Sequence, residues 1–218
     1  WVTARNGFPK ESVTTTLDLD IQSILGEVLH SHQPRLLRVG AGQAAAMIVD
    51  TATMEVRAMG GSFQFGPLAG GFNNGCTAPR SGGSTLKPFL YALALENAFH
   101  ACSLIPDTKQ DFQTPQGDYL PFNADRQAYG PVTIRSALGN SLNISAVKML
   151  NALGIPLFHE LLVRLRILQS DPEAIKRFGL GLAIGNPEVR MTDLLQAYGS
   201  FANGGVPRPL VWRKDIPA

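Results

Sequence analysis

Residues 66 to 98 constrain this chain more than any other stretch. A glycine-rich run, Gly66 to Gly83, opens onto an apolar helical pattern from Thr85 to Ala98, with Leu86, Phe89, Leu90, Leu93 and Ala94 on its stripe. Such a helix needs a core around it. The composition can supply one: 44% of the 218 residues are hydrophobic and only 17% charged, below the roughly 25% charged that is usual for soluble domains. A chain of this length buries roughly 70% of its unfolded surface. Disorder as the dominant state is excluded, because low hydrophobicity and high net charge are both absent. A net charge of +2, from 19 basic and 17 acidic residues, gives no electrostatic case for nucleic acid.

The rest of the chain falls around that helix. Residues 1 to 13 are mixed and polar, and read as a linker or lead-in segment. Leu17, Ile21, Ile24, Leu25, Val28 and Leu29 have helical spacing, with Thr16 or Asp18 as N-cap and Pro34 as the expected stop. Gln43 to Asp50 reads as a central strand buried on both faces. Met54 to Met59 alternates, and Thr51-Ala52-Thr53 between them is short enough for a hairpin. Ser103 to Pro131 is long, polar and without a clear period. Helical patterns return at Val132 to Leu138, Ile144 to Leu153, Leu157 to Leu168 and Thr192 to Ala202. The last is expected to be capped by Thr192 or Asp193 and stopped by Asn203-Gly204-Gly205. Two strands followed mostly by helices predict an α+β domain, although two strands alone make a poor sheet.

No stretch approaches the 18 or so apolar residues of a membrane span, and Trp1 to Arg5 has no signal-peptide pattern. Any anchor is expected in segments outside this chain. Cys76 and Cys102 form no Cys-x-x-Cys, and the four histidines show no metal spacing, so no metal or other cofactor is expected. Two buried thiols are the simplest expectation for the cysteines, with a pair as the alternative.

Chemistry concentrates at Ser81-Gly82-Gly83-Ser84-Thr85-Leu86-Lys87-Pro88-Phe89. Ser84 sits where the glycine loop becomes a helix, and Lys87, three residues on, shares its face. A serine hydroxyl is a weak nucleophile without a base. A neutral amine one turn away can take its proton, and a helix N-terminus disfavours the charged form of a lysine. The same helix end offers backbone N–H groups to a developing oxyanion. The plain alternative is an N-cap serine, although a capping box would place Glu or Gln where Lys87 stands. The spacing recurs at Ser145-Ala146-Val147-Lys148, inside an apolar helical run, where a hydroxyl more often bonds back to backbone. Ser141 and Asn143, two apart between helical runs, can point the same way to relay a proton and hold a substrate amide. A helix-capping turn is the alternative there.

Taken together, these segments resemble a known family. Gly83 to Phe89 looks like the nucleophile motif of class A (bifunctional) penicillin-binding proteins, and Ser141-Leu142-Asn143 like their second motif. Thr15 to Asp18 with Gln22, Ala45 to Gly61, Tyr119 to Asn123, Gly130 to Thr133 with Ala137-Leu138, and Ala197 to Gly205 extend the likeness over roughly residues 14 to 210. Arg80 to Ser84 looks most like the 1C branch. The resemblance implies an α+β transpeptidase fold of the kind shared with serine β-lactamases, occupying residues 14 to 218. It implies a serine D,D-transpeptidase that cross-links peptidoglycan at the periplasmic face of the bacterial inner membrane, with stem peptides and β-lactams as partners. Ser84 would be the nucleophile, Lys87 the base and Ser141 a proton shuttle, with Asn143 and Thr85 binding substrate.

The family's third motif, Lys-Thr/Ser-Gly, has no match here: Lys214 precedes Asp215, and Lys176 precedes Arg177. The expectation is a domain cut short at its C-terminus, without the glycosyltransferase domain expected upstream. Two other functions stay open. One is hydrolysis of β-lactams or esters, for which Asp118 and Asp125 are the nearby carboxylates. The other is an inactive binding fragment.

Overall fold

A computed structural model of the chain describes residues 12–66, 70–114 and 117–214. The chain divides into two compact units, one of residues 1–79 with 190–218, the other Arg80–Val189. Most of the lead-in segment lies outside the described residues.

In the first unit, helix α1 (Leu19–Arg38) is capped by Asp18, whose carboxylate accepts from the N–H groups of Asp20 and Ile21. It does not stop at Pro34 but runs through it. Pro34 is exposed, so the carbonyl one turn back that loses its partner faces solvent. Strands β1 (Ala46–Val49) and β2 (Val56–Gly60) form the expected antiparallel hairpin, its turn held by the Asp50 carboxylate accepting from Ala52 and Thr53. The Gln22 side chain both donates to and accepts from the Met59 backbone, tying α1 to β2. β1 is shorter than the Gln43 to Asp50 run, and it is not buried on both faces: Ile48 is largely exposed. The expectation fails because β1 has β2 as its only strand partner among the described residues.

The second unit holds the apolar helix. A 3₁₀ turn, Gly83–Leu86, leads into α2 (Lys87–Glu96), in which Phe89, Leu90, Tyr91, Leu93 and Ala94 are all buried. Around α2 pack α3 (Ile134–Gly139), α4 (Asn143–Leu153) and α5 (Ile155–Arg164). α4 and α5 meet at 96° about Gly154, whose φ of +91° suits glycine. No single described helix is long and apolar enough to cross a membrane.

The aperiodic polar stretch is not irregular throughout. It contains β4 (Leu104–Asp107), β5 (Phe112–Thr114) and β6 (Gly117–Tyr119), with β7 (Gly130–Thr133) at its end. β4 pairs with β7 and β5 with β6, all antiparallel. These strands are three or four residues long, too short for a period of two to show. A short helix, α6 (Pro172–Phe178), and a 3₁₀ segment, Gly179–Ile184, were not anticipated either. The final helix, α7 (Met191–Ala202), belongs to the first unit. Its N-cap is Arg190 rather than Thr192 or Asp193, because Thr192 is buried within the first turn. It ends at Asn203 as expected, with Gly199 close against Met54. Both cysteines are free thiols: Cys76 is buried, but Cys102, expected inside, is exposed.

One backbone contact sets the nucleophile loop. A two-residue strand, β3 (Arg80–Ser81), pairs with β8 (Glu188–Val189). Gly82 N–H then donates to Pro187 O, and Gly83 N–H to Gly185 O, at 3.1 and 3.0 Å. The Ser81 hydroxyl also donates to Gly185 O, at 2.9 Å. Gly185 has φ +76°, and a Cβ there would lie 1.9 Å from Gly83 O. The substitution Gly185→Ala therefore adds left-handed strain of about 1–2 kcal/mol to a backbone clash. We expect it to lower the melting temperature markedly and to displace the Gly83–Ser84 turn; an unchanged melting curve would contradict this packing.

Candidate active site

All the residues singled out for chemistry lie in the second unit. Ser84 is exposed in the 3₁₀ turn, and Lys87 begins α2 fully buried. The 3₁₀ geometry has three residues per turn, so side chains at i and i+3 eclipse. It aligns Ser84 with Lys87 more directly than the expected α-helical start would.

The Lys87 amine donates to three acceptors from one turn: Ser141 O at 2.6 Å, Ser141 Oγ at 3.2 Å and Asn143 Oδ1 at 2.6 Å. Ser141 follows the C-cap of α3 in a left-handed conformation, φ +54°, which is uncommon for a residue with a side chain. That conformation turns its carbonyl and its hydroxyl toward the same amine. Asn143 opens α4, and its Nδ2 donates to Phe122 O at 2.8 Å, which leaves Oδ1 for Lys87. Among the described residues Lys87 has no carboxylate partner. Burial, met only by neutral dipoles, pushes its pKa down to about 8.

A cavity of ≈ 470 Å³ opens beside these groups, lined by Ser84, Ser141, Asn143, Asn140, Tyr129 and Asp125 among others. Among the described residues, Asp125 is the one charged residue in its lining. Its carboxylate accepts from the Tyr129 hydroxyl and from Gln127 N–H, and these bonds hold it below the ordinary carboxylate pKa. Asp118 is exposed on β6 and does not line the cavity. The Thr85 hydroxyl turns back to donate to Gly82 O. The structure thus brings Ser84, Lys87, Ser141 and Asn143 together, while Thr85 is outside the cavity lining.

The second Ser-x-x-Lys pair meets a different fate. Ser145 is buried, its hydroxyl donating to Asp107 Oδ1 at 2.8 Å, and Lys148 donates to the Thr108 hydroxyl. Sequence reasoning missed the residues around it. Asp107 and Asn123 are both buried, and between them they satisfy the first N–H groups of α4. The only available signal was that two polar residues of an aperiodic segment stand among apolar neighbours.

Residues 44–216 match the family described as the penicillin binding protein transpeptidase domain. Penicillin-binding protein 1C of Escherichia coli (strain K12) is 34% identical over 209 residues, covering 95% of this chain and 26% of that protein. Penicillin-binding protein 1A from Haemophilus influenzae has a crystal structure that superposes with a TM-score of 0.69 and 28% identity, covering 78% of this chain and 25% of that one. The PonA1 protein from Mycobacterium tuberculosis, solved in complex with penicillin V, shares the fold at a TM-score of 0.71 and 23% identity, over 93% of this chain and 54% of that one. The chain therefore spans about a quarter of the length of its curated relative. The predicted α+β transpeptidase fold is the fold found.

The geometry makes one electrostatic prediction without reference to any reaction. An NMR titration of the lysine side-chain resonances should find one amine, absent in Lys87→Met, with a midpoint near 8. A midpoint for Lys87 above about 10, that of a solvated lysine, would contradict its burial.

Proposed function

The chain belongs to the penicillin-binding protein transpeptidase domain family, and from that premise we propose that it performs serine acyl transfer on D-Ala-D-Ala stem peptides of peptidoglycan. The observation that carries this reading is a buried Lys87 amine three residues after an exposed Ser84, at the end of the 3₁₀ turn that holds the serine. As a free amine, Lys87 keeps two N–H donors for its two 2.6 Å acceptors, Ser141 O and Asn143 Oδ1, and has one lone pair for a proton. A pKa near 8 puts that free amine within reach at neutral pH, where a general base works best.

The reaction then follows from the geometry. Ser84 Oγ attacks the carbonyl carbon between the two terminal D-alanines and gives its proton to Lys87. The oxyanion is met by first-turn N–H groups, including that of Ser84 itself. Collapse of the intermediate breaks the peptide C–N bond. The leaving amine takes a proton from Lys87 by way of the Ser141 hydroxyl, which lies 3.2 Å from Lys87. The product is free D-alanine and an ester on Ser84. Asn143 holds the substrate amide with its side chain. An amine of a neighbouring stem peptide attacks the ester carbonyl and loses a proton, and Ser84 is restored. A β-lactam ring would open on the same serine and leave the same kind of ester. Thr85 belongs to this reading as a substrate contact.

Transfer is favoured over hydrolysis by the state of Asp125. A carboxylate that activates a deacylating water should be basic, whereas Asp125 is weakened by its Tyr129 and Gln127 donors. A substrate of this kind places the domain at the periplasmic face of the inner membrane, with peptidoglycan as its partner. The 1C branch is supported by the E. coli relative, 34% identical over 95% of the chain.

Labelling with a fluorescent penicillin, followed by intact mass over time, tests the proposal. We expect a stable adduct that is lost in Ser84→Ala, retained in Ser145→Ala, and formed faster as pH rises through about 8. A rapidly cleared adduct with turnover would favour hydrolysis. Labelling lost in Ser145→Ala and kept in Ser84→Ala would move the nucleophile to the other motif, and no adduct at any dose would leave an inactive binding domain.

A further inference from the structure

On the reading that Ser84 and Lys87 carry acyl transfer, we propose that Asp107 and Asn123 are positioning residues for it. The Asp107 carboxylate fixes which way the Asn123 amide faces, and that amide holds the turn that presents Ser141 and Asn143 to Lys87.

Helix α4 has no side-chain cap of its own. The first N–H groups of any helix lack intrahelical partners, and a side-chain oxygen at the N-cap usually serves them. α4 begins at Asn143 with Leu142 as N-cap, which has no such oxygen. Its first three N–H groups are served from elsewhere in the unit. Asn143 N–H and Ile144 N–H both donate to Asn123 Oδ1, at 2.7 and 3.2 Å, and Ser145 N–H donates to Asp107 Oδ1 at 3.2 Å. The first backbone bond of the helix follows at Ala146, which donates to Leu142 O.

Asn123 can serve these groups in only one orientation. Its amide has a donor end and an acceptor end. Asp107 Oδ2 takes the donor end, with Asn123 Nδ2 at 2.8 Å, and Gln127 O takes the same nitrogen at 2.9 Å. A carboxylate only accepts, so the Asn123 nitrogen must face it and the oxygen must face α4. Asp107 is fully buried, and its two oxygens accept four bonds: Ser145 N–H and Oγ on one, Asn123 Nδ2 and Tyr129 N–H on the other. The start of α4 also brings the positive end of a helix dipole to this carboxylate.

The consequence reaches the reacting groups through one residue. Asn143, whose N–H is clamped by Asn123, carries the Oδ1 that accepts from Lys87 at 2.6 Å. Ser141 lies two residues before it in the same turn. An asparagine at position 107 keeps the shape of the aspartate but must turn an NH₂ toward one of its two donor pairs. Facing Asn123, it sets donor against donor and favours a flipped Asn123 amide, which then turns its own NH₂ toward the N–H groups of Asn143 and Ile144. Removal of the Ser145 hydroxyl, by contrast, deletes one bond on the far oxygen and leaves the Asn123 side intact.

The test compares Asp107→Asn, Asn123→Ala and Ser145→Ala in the intact protein by stopped-flow acylation with a chromogenic β-lactam, below the melting temperature of every variant. Displacing a catalytic group by about an ångström can slow a reaction about a hundredfold. We expect Asp107→Asn and Asn123→Ala to lower the limiting acylation rate by between about tenfold and a hundredfold. The β-lactam concentration giving half that rate should change little, and Ser145→Ala should lose thermal stability while keeping its rate. If Asp107→Asn does not fold, Asn123→Ala carries the comparison alone. A normal limiting rate in the folded variants overturns the proposal. So does an equal loss in Ser145→Ala, which would make Asp107 a general core anchor. If the wild type itself is not acylated at Ser84, the reading of function fails instead.

Discussion

The candidate site depends on an amine kept out of water without an opposite charge beside it. A buried lysine normally finds a carboxylate or loses its proton. Lys87 is surrounded by two oxygens of Ser141 and one of Asn143, all neutral. Neutral acceptors orient an amine without holding it charged as firmly as a carboxylate would. A carboxylate in the same place would raise the pKa and remove the free base. Asp107 comes near enough to α2 to act on the Tyr91 hydroxyl, yet it spends both oxygens on α4, Asn123 and Tyr129 instead.

Two rigid supports meet at that amine. From one side, the β3–β8 pairing and the close passage of Gly185 past Gly83 set the 3₁₀ turn that aligns Ser84 with Lys87. From the other, the buried polar pair of Asp107 and Asn123 sets the start of α4 and the turn before it. The first rests on backbone atoms, which cannot change rotamer, and the second on two buried side chains held by each other's hydrogen bonds. Side-chain freedom remains where a reaction needs it, at the exposed hydroxyl of Ser84.

What was legible in the sequence was what a local pattern carries. The apolar stripe of α2, the capped start of α1, the hairpin and the end of α7 each follow from a few neighbouring residues. So did the grouping of Ser84, Lys87, Ser141 and Asn143, because two short motifs were read together. The strands from Leu104 to Tyr119 were not legible: β4 takes its pairing from a distant partner, with Ile105 opposite Val132, and β5 and β6 are three residues each, too short for a period to show. Asp107 and Asn123 were hidden, as β4 was, because the contacts that give them a role are long-range. Asp107 finds its partners 16 to 38 residues away, and Asn123 reaches α4 across 20 and 21; the Tyr119 to Asn123 likeness assigned Asn123 no role.

The two Ser-x-x-Lys pairs show what spacing leaves undecided. Both place a hydroxyl and an amine one turn apart. At Ser84 the hydroxyl is exposed and the amine buried; at Ser145 the hydroxyl is buried and Lys148 is half-buried, its amine on Thr108. A nucleophile must reach its substrate, and its base must be shielded enough to lose a proton. Only the first arrangement meets both demands. The second fails the first demand, because its serine is buried and helps to seat the carboxylate behind the active turn. Burial gives one spacing two opposite uses: at Ser84 the hydroxyl opens to the cavity, and at Ser145 it is bonded to a buried carboxylate.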